Sequence, residues 1–140
     1  MKKDVLITIK GLQNYEEQDE DSIELVTHGK FYRKEEDYYI VYKESELTGL
    51  GDTTTTVKIE PHRVTVIRSG ETRSHMIFEE GEKHISYYDT GVGALTIGVT
   101  TRQINKSIND FHATLIIDYI MEINNSAIGE NVFNIAVKEV

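Results

Sequence analysis

The chain contains no cysteine, no tryptophan and only one proline in 140 residues. Without cysteine, disulfides, thiolate catalysis and thiolate metal sites are all excluded. A single proline and ten glycines leave no linker-rich stretch, so residues 1–140 are read as a single domain, long enough to bury a core without covalent staples. Long apolar runs are missing too: no window approaches the ~20 apolar residues of a helical membrane span. The N-terminal MKKDVLITIKGL interrupts its apolar residues with Thr8 and Lys10, the pattern of a strand and not of a signal peptide. A cytoplasmic location with no membrane partner is therefore expected. Basic residues are in short supply: 15 Lys and Arg stand against 24 Asp and Glu, a formal charge of −9. That balance argues against a nucleic-acid partner, which needs a basic face.

What the chain does have is alternation, clearest from Thr53 to Phe78, where three short runs are separated by two turn signals. An even-length loop around Glu60-Pro61-His62-Arg63 pairs Ile59 with Val64, Val57 with Val66 and Thr55 with Arg68, and Pro61 suits the second position of a four-residue turn. At Ser69-Gly70-Glu71 a two-residue loop would set Arg68 against Arg73, so an odd loop is favoured. It matches Val66 to Ser74, Val64 to Met76 and His62 to Phe78. The apolar face then carries Val57, Ile59, Val64, Val66, Met76 and Phe78. Lys58, Glu60, Arg63, Thr65, Arg73 and His75 point outward with Ile67 and Ile77. Arg68 falls on the apolar face.

The same period runs through most of the chain. Val5, Ile7 and Ile9 alternate with polar neighbours. The acidic run Gln13–Asp21 lacks the spacing of a calcium loop and reads as a solvated connection. Ser22–Tyr32 and Asp37–Glu44 form a hairpin around a charged turn, Arg33–Glu36, with Tyr38, Ile40, Tyr42 and Glu44 inward. Leu47–Asp52 is a glycine-containing loop, and Gly81 marks a turn in Glu79–Glu82. Leu95, Ile97 and Val99 alternate, followed by a polar link, Arg102–Asp110, in which Ile104–Asp110 has room for one helical turn. Leu115, Ile117, Tyr119, Met121 and Ile123 share a face; Asn124–Asn131 turns back to Phe133, Ile135 and Val137. About ten strands with hairpin connections and no long crossover predict an all-β fold, a single up-and-down antiparallel barrel, which also removes exposed sheet edges.

With these residues laid out, the chain resembles the YwiB-like family of small Gram-positive bacterial proteins with a lipocalin-like, calycin-like barrel. The likeness lies in Tyr39-Ile-Val-Tyr42-Lys-Glu44, Thr55-Thr-Val57-Lys58 and Val64-Thr-Val66-Ile-Arg68-Ser69-Gly70, followed by Phe78, Gly81, Tyr88, Gly93, Leu95 and Ile104. The resemblance implies the barrel and no activity. Two better-known relatives of the architecture are not matched: the lipocalin Gly-x-Trp is impossible without Trp, and Glu44-Ser-Glu46 is not followed by the lysine of triphosphate-tunnel enzymes.

The candidate site is Arg68 with Glu44, Tyr42, Thr55 and Thr72 near one end of the barrel. A guanidinium on an apolar face must be paired, and Glu44 is the first choice of partner. This group is either a structural ion pair that plugs the mouth or the floor of a site where Arg68 clamps a carboxylate. The five histidines show no metal spacing, Gly91-Val-Gly93 precedes no helix and reads as a hairpin turn, and no Gly-x-Ser-x-Gly is present. Tyr38, Tyr39, Tyr42, Tyr87 and Tyr88 read as core and rim packing, with a cavity lining as the alternative. No cofactor is expected. A non-enzymatic barrel ranks first, holding a small amphipathic or carboxylate-bearing ligand among Val57, Ile59, Val66, Met76, Phe78, Leu115, Ile117 and Tyr119 beneath Arg68 and Glu44. A filled barrel that acts as a structural module or homodimer through Ile67, Ile77, Arg73 and His75 ranks second. An enzyme ranks last.

Overall fold

The computed structural model describes residues 2–14, 21–44, 53–70, 73–89 and 93–140. Ten strands account for nearly all of them: β1 (Lys3–Asn14), β2 (Asp21–Lys34), β3 (Asp37–Lys43), β4 (Thr53–Ile59), β5 (Val64–Gly70), β6 (Ser74–Phe78), β7 (Lys83–Asp89), β8 (Ala94–Ile108), β9 (His112–Ile123) and β10 (Ser126–Glu139). They form one antiparallel sheet in the order β6-β5-β4-β3-β2-β1-β10-β9-β8-β7. The first and last strands pair along their length, which leaves β6 and β7 as facing edges. Arg73 and Asp89 join those edges: their backbones exchange hydrogen bonds of 2.9 and 2.8 Å, and their side chains pair at 2.8 Å. Beyond the start of β7, Thr101 N–H donates to the Glu82 carbonyl at 3.2 Å and Gly81 N–H to the Thr101 carbonyl at 2.9 Å, which carries the β7–β8 ladder into the turn between β6 and β7. The result is a nearly closed up-and-down barrel of ten strands.

Side-chain alternation explains where the core sits. Along β4, Thr53, Thr55, Val57 and Ile59 are buried while the residues between them are half-buried. Strands contributed from the whole chain meet in one cluster that includes Val5, Ile7, Phe31, Ile40, Val57, Leu115, Ile117 and Ile135. Both faces of a strand cannot point inward at once, so hairpin parity decides the contents of the barrel.

The first hairpin of the central meander has the expected register, with Ile59 opposite Val64 and Thr55 opposite Arg68, closed by a Glu60 N–H to Arg63 carbonyl bond of 2.9 Å. The second keeps the expected faces but slides by two residues: Val64 meets Phe78, Val66 meets Met76 and Arg68 meets Ser74. Three segments are more regular than their sequence indicated. Arg102–Asp110 holds no helical turn; β8 continues to Ile108, with a bulge between Thr101 and Gln103 that absorbs the polar run. The return expected over Asn124–Asn131 shrinks to Asn124 and Asn125, both with positive φ; asparagine tolerates that conformation and so permits a tight turn. The charged turn after β2 is likewise only Glu35 and Glu36. Thr65, expected outside, is buried on the outer face, where its hydroxyl donates to the Glu60 carboxylate at 3.2 Å. Most of the acidic run Gln13–Asp21 and all of the Leu47–Asp52 and Gly91–Val92 stretches lie outside the described residues.

One glycine is fixed by packing. A Cβ on Gly29 would overlap the Val41 carbonyl oxygen and Ile7 Cδ1, and would sit 3.2 Å from Tyr42 Cβ. Gly29→Ala is expected to lower the unfolding free energy by about 1–3 kcal/mol, as overpacking does; chemical denaturation checks this, and a variant at least as stable as the parent would contradict it.

Candidate functional site

Registers across β3, β4, β5 and β6 align Tyr42 with Thr55, Thr55 with Arg68, and Arg68 with Ser74. Four polar side chains thus stand in one row on the inner face, a layer above the apolar row Ile40, Val57, Val66 and Met76. Glu44 follows β3 and is tied to the start of β4 by its N–H, 2.8 Å from the Thr53 carbonyl. Its carboxylate then turns into the row. Glu44 Oε1 accepts from the Thr55 hydroxyl at 2.6 Å and stands 3.8 Å from Arg68 Nε. The Glu44 side chain is 3% exposed and that of Arg68 18%, so the carboxylate is the deeper partner. At 3.8 Å the ions attract each other but share no hydrogen bond. Arg68 Nε and Ser74 Oγ are both buried without a hydrogen-bond partner among the described residues, as is Thr101 Oγ1 on β8.

Electrostatics follow from the burial. The Tyr42 hydroxyl titrates far above its ordinary value, first because burial disfavours the phenolate and next because the Glu44 carboxylate repels it; Arg68 acts the other way. Burial also raises Tyr119, with Arg68 opposing. Both phenols therefore remain neutral hydrogen-bonding groups at physiological pH. The ion pair itself is close to balanced: an attraction of about 4 kcal/mol at this separation for an effective dielectric of about 20 is offset by a desolvation cost of several kcal/mol per ion. Held this way, the group can present an N–H and a hydroxyl to an acceptor, with a carboxylate fixed behind them.

Glu44, Tyr42, Thr55 and Arg68 meet as their sequence positions foretold. Thr72 lies outside the described residues. Val66, Met76 and Phe78 are buried below the row, and the Phe78 ring meets Tyr119 edge-on with centroids 5.0 Å apart. The tyrosine-rich set disperses: Tyr39 stacks on Tyr32 on the outer face, Tyr87 is exposed, and Tyr38 lies at the other end of the barrel. The Tyr88 side chain is outside the described residues. Ser74 belongs to the site and was hidden by the two-residue register offset, which set it against Val66. Among the described residues no three His, Asp or Glu side chains gather as a metal site, and none forms a helix long and apolar enough to cross a membrane.

The model of the family described as "Domain of unknown function (DUF1934)" matches residues 7–135. The chain belongs to this family. Among relatives of the DUF1934 chain, the "Uncharacterized beta-barrel protein YwiB" of Bacillus subtilis (strain 168) is 28% identical over 124 residues, spanning 88% of this chain and 86% of that protein. The crystal structure of the ywiB protein from Bacillus subtilis superposes with a TM-score of 0.88 at 23% identity, covering 99% of this chain and 93% of the other. These matches establish the family and the barrel.

Removing one member of the ion pair leaves the other charged and buried. Arg68→Met is therefore expected to cost about 3–5 kcal/mol. Arg68→Met combined with Glu44→Gln should recover more than half of that loss, because the pair as a whole is nearly neutral in energy. Urea unfolding followed by circular dichroism measures both, and an Arg68→Met variant as stable as the parent would show the two charges to be uncoupled.

Proposed function

We propose that the DUF1934 barrel is a non-enzymatic cytoplasmic binding protein whose Arg68 end takes the carboxylate or another acceptor-bearing head of a small amphipathic molecule. The observation that carries this reading is the adjacency of two buried donors without hydrogen-bond partners among the described residues, Arg68 Nε and Ser74 Oγ, directly opposite each other on β5 and β6. Buried donors are almost always satisfied in folded proteins. Thr55 holds the Glu44 carboxylate, which attracts the guanidinium from 3.8 Å, and the neutral Tyr42 hydroxyl belongs to the same network through Glu44 and Thr55. The ligand's apolar part lies against Val66, Met76, Phe78 and Tyr119; Met76 is the adaptable member of that set because its thioether chain repacks at low cost.

A second reading has its own observation. Ile85 and Tyr87 are 60% and 71% exposed and extend the outer strip of Ile67, Ile77, Arg73 and His75 across the seam, which favours a homodimer through that face.

Thermal unfolding in the presence of sodium octanoate tests the first reading. The parent is expected to show a dose-dependent rise in Tm through linkage, and the Arg68→Met/Glu44→Gln variant little or none. No rise in the parent, or an equal rise in both, would overturn the Arg68 reading. Native mass spectrometry of the same samples decides the second: a dimer that persists on dilution and is lost on Tyr87→Glu supports it.

A further inference from the structure

We infer that the opposite mouth of the barrel is a separate binding site, one that takes a small aromatic carboxylate. The registers place its residues on the inner face: Lys3 stands opposite Phe31, Phe31 opposite Ile40, and Arg33 opposite Tyr38. Here the layers of the core end, and a cleft of about 270 Å³ opens between Lys3, Phe31, Tyr32, Arg33, Tyr38 and Asp110. Its walls are aromatic. Phe31 and Tyr38 stack with centroids 5.7 Å apart and planes at 13°; Tyr32, whose ring stacks on Tyr39 on the outer face, borders only the outer rim.

The polar groups of the cleft divide into fixed and available ones. Lys3 Nζ is held by the Asp110 carbonyl at 2.6 Å and by the Glu139 carboxylate at 3.1 Å, and it lies over the Phe111 ring. Asp110 itself accepts a long 3.4 Å bond from the Tyr38 hydroxyl. Arg33 differs. Its Nε donates to the Glu35 carbonyl at 2.9 Å, and its guanidinium carbon lies 5.6 Å from the centre of the Tyr38 ring. Among the described residues no carboxylate comes within ion-pair distance of it. In a chain of net charge −9, Arg33 is thus an exposed cation at the mouth, set against the Tyr38 ring, with its terminal nitrogens uncommitted among the described residues.

These features select a ligand class. Arg nitrogens in a fixed fork suit a carboxylate, which they bind bidentately. The nearby Asp110 carboxylate disfavours a multiply charged group such as phosphate. The two inner aromatic side chains, Phe31 and Tyr38, reward a flat ring. The volume lies just under the roughly 300–1,000 Å³ of drug-sized sites, which limits the occupant to about one ring. Since the cleft is at the other end from Arg68, it neither requires nor excludes a ligand there.

Titration of ¹⁵N-labelled protein with sodium benzoate provides the test. Saturable amide shifts are expected at Lys3, Arg33, Tyr38 and Asp110, with a dissociation constant at least tenfold weaker in Arg33→Gln and unchanged in Arg68→Met/Glu44→Gln. Cyclohexanecarboxylate should bind several-fold more weakly than benzoate. The inference is overturned if no saturable shift occurs, if the shifts centre on Thr55, Arg68 and Ser74, or if Arg33→Gln binds benzoate as well as the parent does. Equal binding of the two acids would overturn the aromatic part of the assignment.

Discussion

The pairing of Ile59 with Val64 across the Glu60–Arg63 turn, closed by one backbone hydrogen bond, fixes which side chains of the central meander face the barrel axis. A strand has two faces and a register change of one residue exchanges them. Once Val57, Val64 and Val66 are inside, Arg68 is inside as well. The buried guanidinium then demands a carboxylate, and the link between β3 and β4 brings Glu44 to it. The polar row at the Arg68 end is therefore a consequence of the same parity that builds the apolar core.

The barrel is layered along its axis. Its middle is a continuous apolar cluster, while charged and hydroxyl groups occupy both mouths. Among the described residues, the charges at one mouth are matched, Arg68 against Glu44, with hydrogen-bond donors left over, while at the other Lys3 is matched and Arg33 is not. The proposed binding of amphipathic acids rests on this placement of an arginine at each end of an apolar barrel, with the stacked and edge-on aromatic contacts as its apolar surface. The seam between β6 and β7, fastened by Arg73 and Asp89, is where the sheet lacks a full ladder. The exposed Ile85 and Tyr87 flank it.

Alternation made the architecture legible. Strand count, hairpin topology, the inner set of β3 to β6 and the Arg68–Glu44 pairing all follow from period-two patterning and from the rule that a buried charge needs a partner. Register was harder to read because a shift of two residues preserves every face. The partners of Val64, Val66 and Arg68 across β5 and β6 all depended on it, and the pairing of Arg68 with Ser74 is the one that bears on the candidate site. The polar stretch 102–110 misled because β8 is bulged and partly exposed there, so its side chains lack a clear period. Arg33 and Lys3 resembled turn and terminal residues, and nothing in their local pattern marked them as inward-facing; the pairing of β1, β2 and β3 at the barrel mouth does.

The Arg68 guanidinium is enclosed on the inner face beside Glu44, Thr55 and Ser74, and every feature of that mouth depends on it. Proton NMR of the Arg68 side chain tests it most directly. A slowly exchanging Arg68 Hε resonance with nuclear Overhauser contacts to Thr55 and Ser74 is the predicted result. An Hε that exchanges with solvent as fast as that of an exposed arginine, without those contacts, would contradict it.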